Sequence, residues 1–343
     1  MVIALAKEML LRKNENTEVV ETIYFGGGTP SVLSTDEINF LIDTIRQNYP
    51  VSDTPEITLE ANPDDLTKAK IIELAKSEVN RLSIGIQSFF DDDLKMMNRA
   101  HSASEAKISL SEAGKYFDNI SIDLIYGIPG MSADKWKQNI KTALAYKTAH
   151  ISSYALTVEP KTALRKLIDS GQIARPADDA AQEHFTILVD ILEKKGYIHY
   201  ELSNFGKPNF FSKNNSAYWL GKKYIGIGPS AHSYNGVSRS WNIANNVLYL
   251  KSLETDTLPQ EIETLTIADR YNEYVMTGLR TIWGIDLNRI NQEFGVRFLK
   301  YLLDQADRFI TERLVEIVSN VLITTKKGKF LADGIASDLF WVE

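Results

Sequence analysis

The 343-residue chain contains no cysteine. That excludes disulfides and any thiolate-held metal or iron–sulfur site within it, and it fits a cytoplasmic protein. There is no run of 18 apolar residues, so no membrane span is expected. The apolar N-terminal stretch Val2–Leu11 is broken by Lys7 and Glu8. It has no small-residue cleavage site and does not read as a secretory signal. Basic residues are too few for a nucleic-acid surface, because 38 Lys and Arg face 45 Asp and Glu, a net charge of -7. The short basic stretch Lys326-Lys327-Gly328-Lys329 reads as a solvated turn between two strands. Histidine is scarce and scattered, at His101, His150, His184, His199 and His232, with no two-histidine helical metal motif.

What is present is a chain 44% apolar, enough for one large domain and a smaller one. The first two-thirds alternates β-rich runs with helical patterns. The predicted strands are Thr22–Phe25, Glu56–Glu60, Arg81–Gln87, Ile120–Gly127, His150–Leu156 and Tyr197–Leu202. Ser34 with Glu37 and Ser102 with Glu105 form capping boxes, and Ser132 caps a further helix. Strand ends recur at roughly 30-residue intervals, the length of one β-α unit in a barrel. The fold class is therefore α/β, a partial barrel of parallel strands. An amphipathic helix opens the chain, with Val2, Leu5, Ala6, Met9 and Leu10 on its apolar side. A helix in such a series should follow a strand, so a first strand is expected upstream, and the chain is read as truncated. From Thr266 onward helices precede a strand pair, Val315–Ser319 and Val321–Leu331 around the lysine turn. That pattern predicts a small α+β, winged-helix-like C-terminal domain. The expected division is 1–203, 204–258 (aromatic and Gly-rich, packing on the barrel) and 259–343.

Parallel strands are buried on both faces and should be almost wholly apolar. Their polar residues therefore single themselves out. Gly26-Gly27-Gly28-Thr29 ends the first strand, Glu60 the second and Gln87 the third, while Asp123 interrupts Ile122-Asp123-Leu124-Ile125. Each has a plain structural reading: a tight turn, a solvated carboxylate, an amide satisfying nearby backbone, a carboxylate paired with the next strand. Arg99 beyond the third strand either grips a ligand carboxylate or pairs with Asp91, Asp92 and Asp93. In a barrel, successive strand ends converge on one face, where ligands bind. That coincidence favours a site.

Four segments carry a resemblance: Ile23-Tyr24-Phe25-Gly26-Gly27-Gly28-Thr29-Pro30-Ser31, Glu60-Ala61-Asn62-Pro63, Ser83-Ile84-Gly85-Ile86-Gln87-Ser88-Phe89 and Asp123-Leu124-Ile125-Tyr126-Gly127-Ile128-Pro129-Gly130. Together they resemble the oxygen-independent coproporphyrinogen III oxidase family of radical S-adenosylmethionine (SAM) proteins, and within it the haem chaperone branch. The resemblance implies a partial (β/α)6 barrel of radical-SAM type with SAM across its strand ends. Gly27, Gly28 and Thr29 would hold the methionine end. Glu60, Gln87, Arg99 and Asp123 would meet its polar groups or those of a second SAM.

The family also carries a Cys-x3-Cys-x2-Cys loop after its first strand, which binds a [4Fe–4S] cluster. This cysteine-free chain cannot ligate that cluster through thiolates. Haem chaperones of the family read His-Asn-x-x-Tyr-Trp where this chain has Asn214-Asn215-Ser216-Ala217-Tyr218-Trp219. An amide is a poor iron ligand beside an imidazole, and His232 is either a substitute or an ordinary loop histidine. Phe205, Phe210, Phe211, Tyr218 and Trp219 either cover a flat macrocycle or cap the barrel. The expected function is a SAM- and haem-binding chaperone without its cluster. Its partners would be haem or a porphyrin and a haem-acceptor protein. The alternatives are an oxygen-independent coproporphyrinogen III oxidase or a cluster-less pseudoenzyme, which leaves enzymatic activity open.

Overall fold

Seven strands make one sheet in the computed structural model, which describes residues 1–160 and 162–342. They are β1 (Val20–Phe25), β2 (Val51–Ala61), β3 (Arg81–Gln87), β4 (Ile120–Tyr126), β5 (His150–Ala155), β6 (Ile198–Glu201) and β7 (Asn204–Gly206), in the order β1-β2-β3-β4-β5-β7-β6. Pairing from β2 through β5 is parallel. The connecting helices start where the caps require. Ser102 and Glu105 exchange both bonds of a capping box, and Ser132 accepts from Lys135 N–H. Leu59, Leu82, Ile84, Ile122, Leu124 and Ile151 are wholly buried, as parallel strands covered on both faces demand.

The far end of the sheet departs from the expected series. The sixth strand does not pair with the fifth. The three-residue β7 lies between them, antiparallel to both. A tight reversal at Leu202–Ser203 places β7 against β5 with no helical crossover.

The chain divides into two compact units that interleave along the sequence. One comprises residues 22–38 and 56–212; the other comprises 1–21, 39–55 and 213–343. The second unit holds two small antiparallel sheets. One is β8 (His232–Tyr234), β9 (Ser238–Asn242) and β10 (Gln260–Thr264); the other is β11 (Ile285–Asp286), β12 (Val315–Val318) and β13 (Val321–Thr324). The helices Ile267–Leu279 and Val296–Thr311 bury Tyr271, Val275, Leu302 and Ala306 in one apolar core with Ile285 and Leu322.

Two readings are corrected here. The lysine stretch is not the hairpin tip. The β12–β13 turn is Ser319-Asn320, both at positive φ (49° and 67°), a two-residue turn that asparagine tolerates. Lys326 to Lys329 follow the hairpin and lead into a short 3-10 turn.

The second correction concerns the opening helix, Val2–Arg12. It buries Glu8 and Arg12 together with Ala6 and Met9, while Leu10 is 47% exposed. Glu8 accepts from Arg12 Nη1 (3.1 Å), Asn242 Nδ2 (2.7 Å), Gly228 N–H (2.8 Å) and Tyr249 OH (2.5 Å). Arg12 also donates to the Gly226 carbonyl (2.8 Å), Ser233 Oγ (3.0 Å) and Glu15 (2.8 Å). A buried carboxylate is tolerated only with such complete pairing.

Candidate functional site

The ends of β1 to β4 bring the predicted polar residues into one cluster. At the end of β1, Gly26 passes so close to Tyr24 and Glu60 that a Cβ there would lie 2.5 Å from Tyr24 Cε1 and 3.2 Å from Glu60 Oε1. Only glycine fits. Gly27 and Gly28 take φ of +74° and +66°, and the space beside each is open. Glu60, at the end of β2, divides its two oxygens. Oε1 accepts from Tyr24 OH (2.7 Å) and Oε2 from Gly27 N–H (3.1 Å). The carboxylate thereby fixes the open glycine turn. Burial first, and the Glu60 charge second, hold the Tyr24 hydroxyl far above its ordinary range, so it stays a donor. Ser31 ties the same turn to the loop after β2, donating to Asp65 (2.6 Å) and accepting from Asn62 N–H (3.3 Å).

At the end of β3 the register with β4 shifts between Ile84 and Gln87, and Gln87 adopts φ of 63°. A non-glycine residue there is strained by roughly 1–2 kcal/mol, so the strand's last side chain is held off the regular alternation. Arg99 is not paired with the aspartates ahead of it. Its Nη2 donates to Asn62 Oδ1 (2.7 Å), and Lys135 takes both Asp92 and Asp93. Gly85 makes room for this: a Cβ on it would meet Gln87 Nε2 at 3.0 Å and Arg99 Nη2 at 3.2 Å. The amide and the guanidinium thus lie together over one glycine.

Asp123 lies opposite Ser152 of β5, whose hydroxyl it engages. Burial, then the Glu60 charge, push its carboxyl up to about 7, against the opposing pull of Arg81, Ser152 and Arg99. Glu60, Arg99 and Asp123 therefore act on one another electrostatically. Two carboxylates, Glu60 and Asp123, stand with two guanidiniums, Arg81 and Arg99, so the cluster offers partners to both the cationic and the anionic groups of a ligand. Tyr24, Asn62 and Ser152 were not singled out by their sequence positions. Asn62 stood in view beside Glu60, but nothing local marks it as the acceptor for Arg99.

The chain matches the profile of the Radical SAM superfamily over residues 4–143 and that of the HemN C-terminal domain over 265–331. The heme chaperone HemW of Bacillus subtilis is 34% identical over 320 residues, 92% of this chain and 84% of that protein. The heme chaperone HemW of Lactococcus lactis is 34% identical over 340 residues, covering 96% and 89%. This chain belongs to the HemW family of radical SAM proteins. Its fold is also that of the coproporphyrinogen III oxidase HemN from Escherichia coli, with a TM-score of 0.84, 22% identity and coverage of 98% of this chain and 82% of that one.

The residues present fit one of the two groups associated with radical SAM proteins. The open glycine turn and the cluster of carboxylates and guanidiniums suit SAM, which carries a sulfonium, an ammonium, a carboxylate and a ribose diol. They do not suit the iron–sulfur cluster. The HemW-family chain described here has no cysteine, and no group of three His, Asp or Glu among the described residues is placed to hold a metal. No helix among the described residues is long and apolar enough to cross a membrane.

Proposed function

We propose that this chain binds SAM at the ends of β1 to β4 and carries haem for delivery to an acceptor protein. The observation that supports this reading is its likeness to heme chaperones over most of their length, together with the polar cluster at the strand ends. Gly27, Gly28 and Thr29 hold the methionine end, where backbone N–H groups and open glycines admit close approach. Glu60 and Asp123 face the cationic groups. Arg99 and Gln87 take the carboxylate, the sugar or the base. Bound SAM supplies a sulfonium open to one-electron reduction. Nothing in this chain's own side chains delivers that electron, so binding rather than turnover is the activity assigned to it.

Titration calorimetry with SAM and optical titration with ferric haem test the reading. Saturable binding of each is expected, with no consumption of coproporphyrinogen III. A chain that takes up neither ligand, or one that turns the porphyrinogen over, rules the reading out. Arg99→Ala removes a charge-assisted contact of about 1.5–3 kcal/mol. Its SAM affinity is therefore expected to fall about 10- to 100-fold with haem uptake unchanged. Unaltered SAM affinity would remove Arg99 from the site.

A further inference from the structure

The five histidines divide four to one. His101, His150, His184 and His199 are all buried. His101 Nε2 lies 3.1 Å from the Ile86 carbonyl and His199 Nε2 2.9 Å from the Leu202 carbonyl. His150 is held at both ring nitrogens, by Ser121 Oγ and Tyr200 OH at 2.7 Å each. His184 Nδ1 accepts from Gly127 N–H at 3.2 Å. None can reach an external ligand without opening the core. His232 differs on both counts: its side chain is exposed, and neither ring nitrogen has a hydrogen-bond partner among the described residues.

The backbone beneath His232 is rigid. Gly226 runs so close to it that a Cβ at 226 would fall 2.0 Å from the His232 carbonyl oxygen. The next residue, Ser233, points inward. Its buried hydroxyl accepts from Gly226 N–H and from Arg12 Nη2, both at 3.0 Å. Alternation along β8 then sends His232 outward. On that outer face its direct cross-strand neighbour is Trp241 of β9, with ring centroids 6.0 Å apart and planes at 35°. The arrangement is an exposed imidazole on a closely packed backbone, beside a broad aromatic surface. Meanwhile Asn214, the other position of interest for iron, has its amide bonded to the Tyr218 hydroxyl.

We propose that His232 is the axial ligand through which this chain holds haem iron, with Trp241 flanking the macrocycle. The assignment rests on the haem-binding reading above. It names the ligand by elimination and by geometry. The neutral imidazole donates a nitrogen lone pair to iron and displaces a water molecule. No electron is transferred and no covalent bond breaks. A backbone held in place before binding reduces the freedom lost on coordination, which favours His232 over a histidine on a mobile loop.

The test titrates ferric haem into the wild-type chain and into His232→Ala, reading the Soret band and the ligand-sensitive resonance Raman modes. Circular dichroism verifies that the variant is folded. Even supporting residues of metal centres contribute about 10–100-fold to affinity, so His232→Ala is expected to bind haem at least about tenfold more weakly. Its spectrum should lack imidazole ligation, and added free imidazole should restore the band. Trp241→Leu is expected to weaken binding while keeping the imidazole signature. Haem uptake by the wild type with an unchanged spectrum and affinity in His232→Ala overturns the ligand assignment alone. No uptake by the wild type overturns the haem-binding reading and the assignment together.

Discussion

Arg12→Ala is expected to destabilise the chain by about 3–5 kcal/mol. The side chain is 2% exposed and its partner Glu8 is fully buried. Removing Arg12 leaves Glu8 with three neutral donors, Asn242, Gly228 and Tyr249, but without its opposite charge. It also leaves the Gly226 carbonyl without its donor and takes one of two donors from Ser233 Oγ. An uncompensated buried charge is far costlier than a missing pair. The double variant Glu8→Met with Arg12→Met should therefore recover much of the loss. Calorimetric unfolding is the suitable readout, since a chain of two compact units need not melt in one step. A loss below about 1 kcal/mol for Arg12→Ala would show that the cluster contributes no net stability.

Asp123→Asn is expected to act in opposite directions on stability and on ligand binding. The carboxyl titrates near its ordinary value of 3.8 in the unfolded chain and at about 7 in the folded one. Between those pH values the folded chain keeps a proton that the unfolded chain has released. Stability therefore falls as pH rises from about 4 to about 7 and is level above that. A displacement of that size corresponds to at most roughly 4 kcal/mol. Asp123 is only partly buried, so about 1–3 kcal/mol is the realistic cost. Asparagine has no proton to lose. The variant should thus be more stable than the wild type at pH 8, and by a smaller margin at pH 5.

A cationic ligand requires the ionised carboxylate, so SAM affinity of the wild type should rise through pH 7 while that of Asp123→Asn stays low and flat. Melting curves at the two pH values, with and without SAM, measure both effects. Equal stability of the two proteins at pH 8 would show that the carboxylate is not held at a disadvantage.

The clustering of polar residues at the strand ends was legible because buried parallel strands read as unbroken apolar runs. Glu60, Gln87 and Asp123 stood out against that background, and the structure places them together with Arg99 and the glycines. The partners were not legible. Tyr24 looks like one more strand residue until its hydroxyl is seen on Glu60, and Asn62 meets Arg99 from 37 residues away. The opening helix misled for a related reason. Periodicity assigns charged residues to solvent, yet Glu8 and Arg12 are i,i+4 partners turned inward to residues 214 to 241 positions distant. The strands β8 to β10 are rich in Ser, Asn and Glu and lack the alternation that marks a sheet. The Ser319-Asn320 turn did carry a signal, an asparagine between two β-branched runs, which the nearby lysines obscured.

The long separation between Glu8 and its partners has a consequence during synthesis. The opening helix leaves the ribosome well before its partners, because Gly228, Asn242 and Tyr249 follow Glu8 by 220, 234 and 241 residues. At about 5–20 residues per second, that is a wait of roughly 10–50 s. An apolar face of the same size would spend that time available to chaperones and to neighbouring nascent chains. A glutamate and an arginine spend it hydrated, at no cost, and become buried only when the last third of the polypeptide emerges. The polar staple lets the opening helix dock with a segment made more than 200 residues later without being sticky in between.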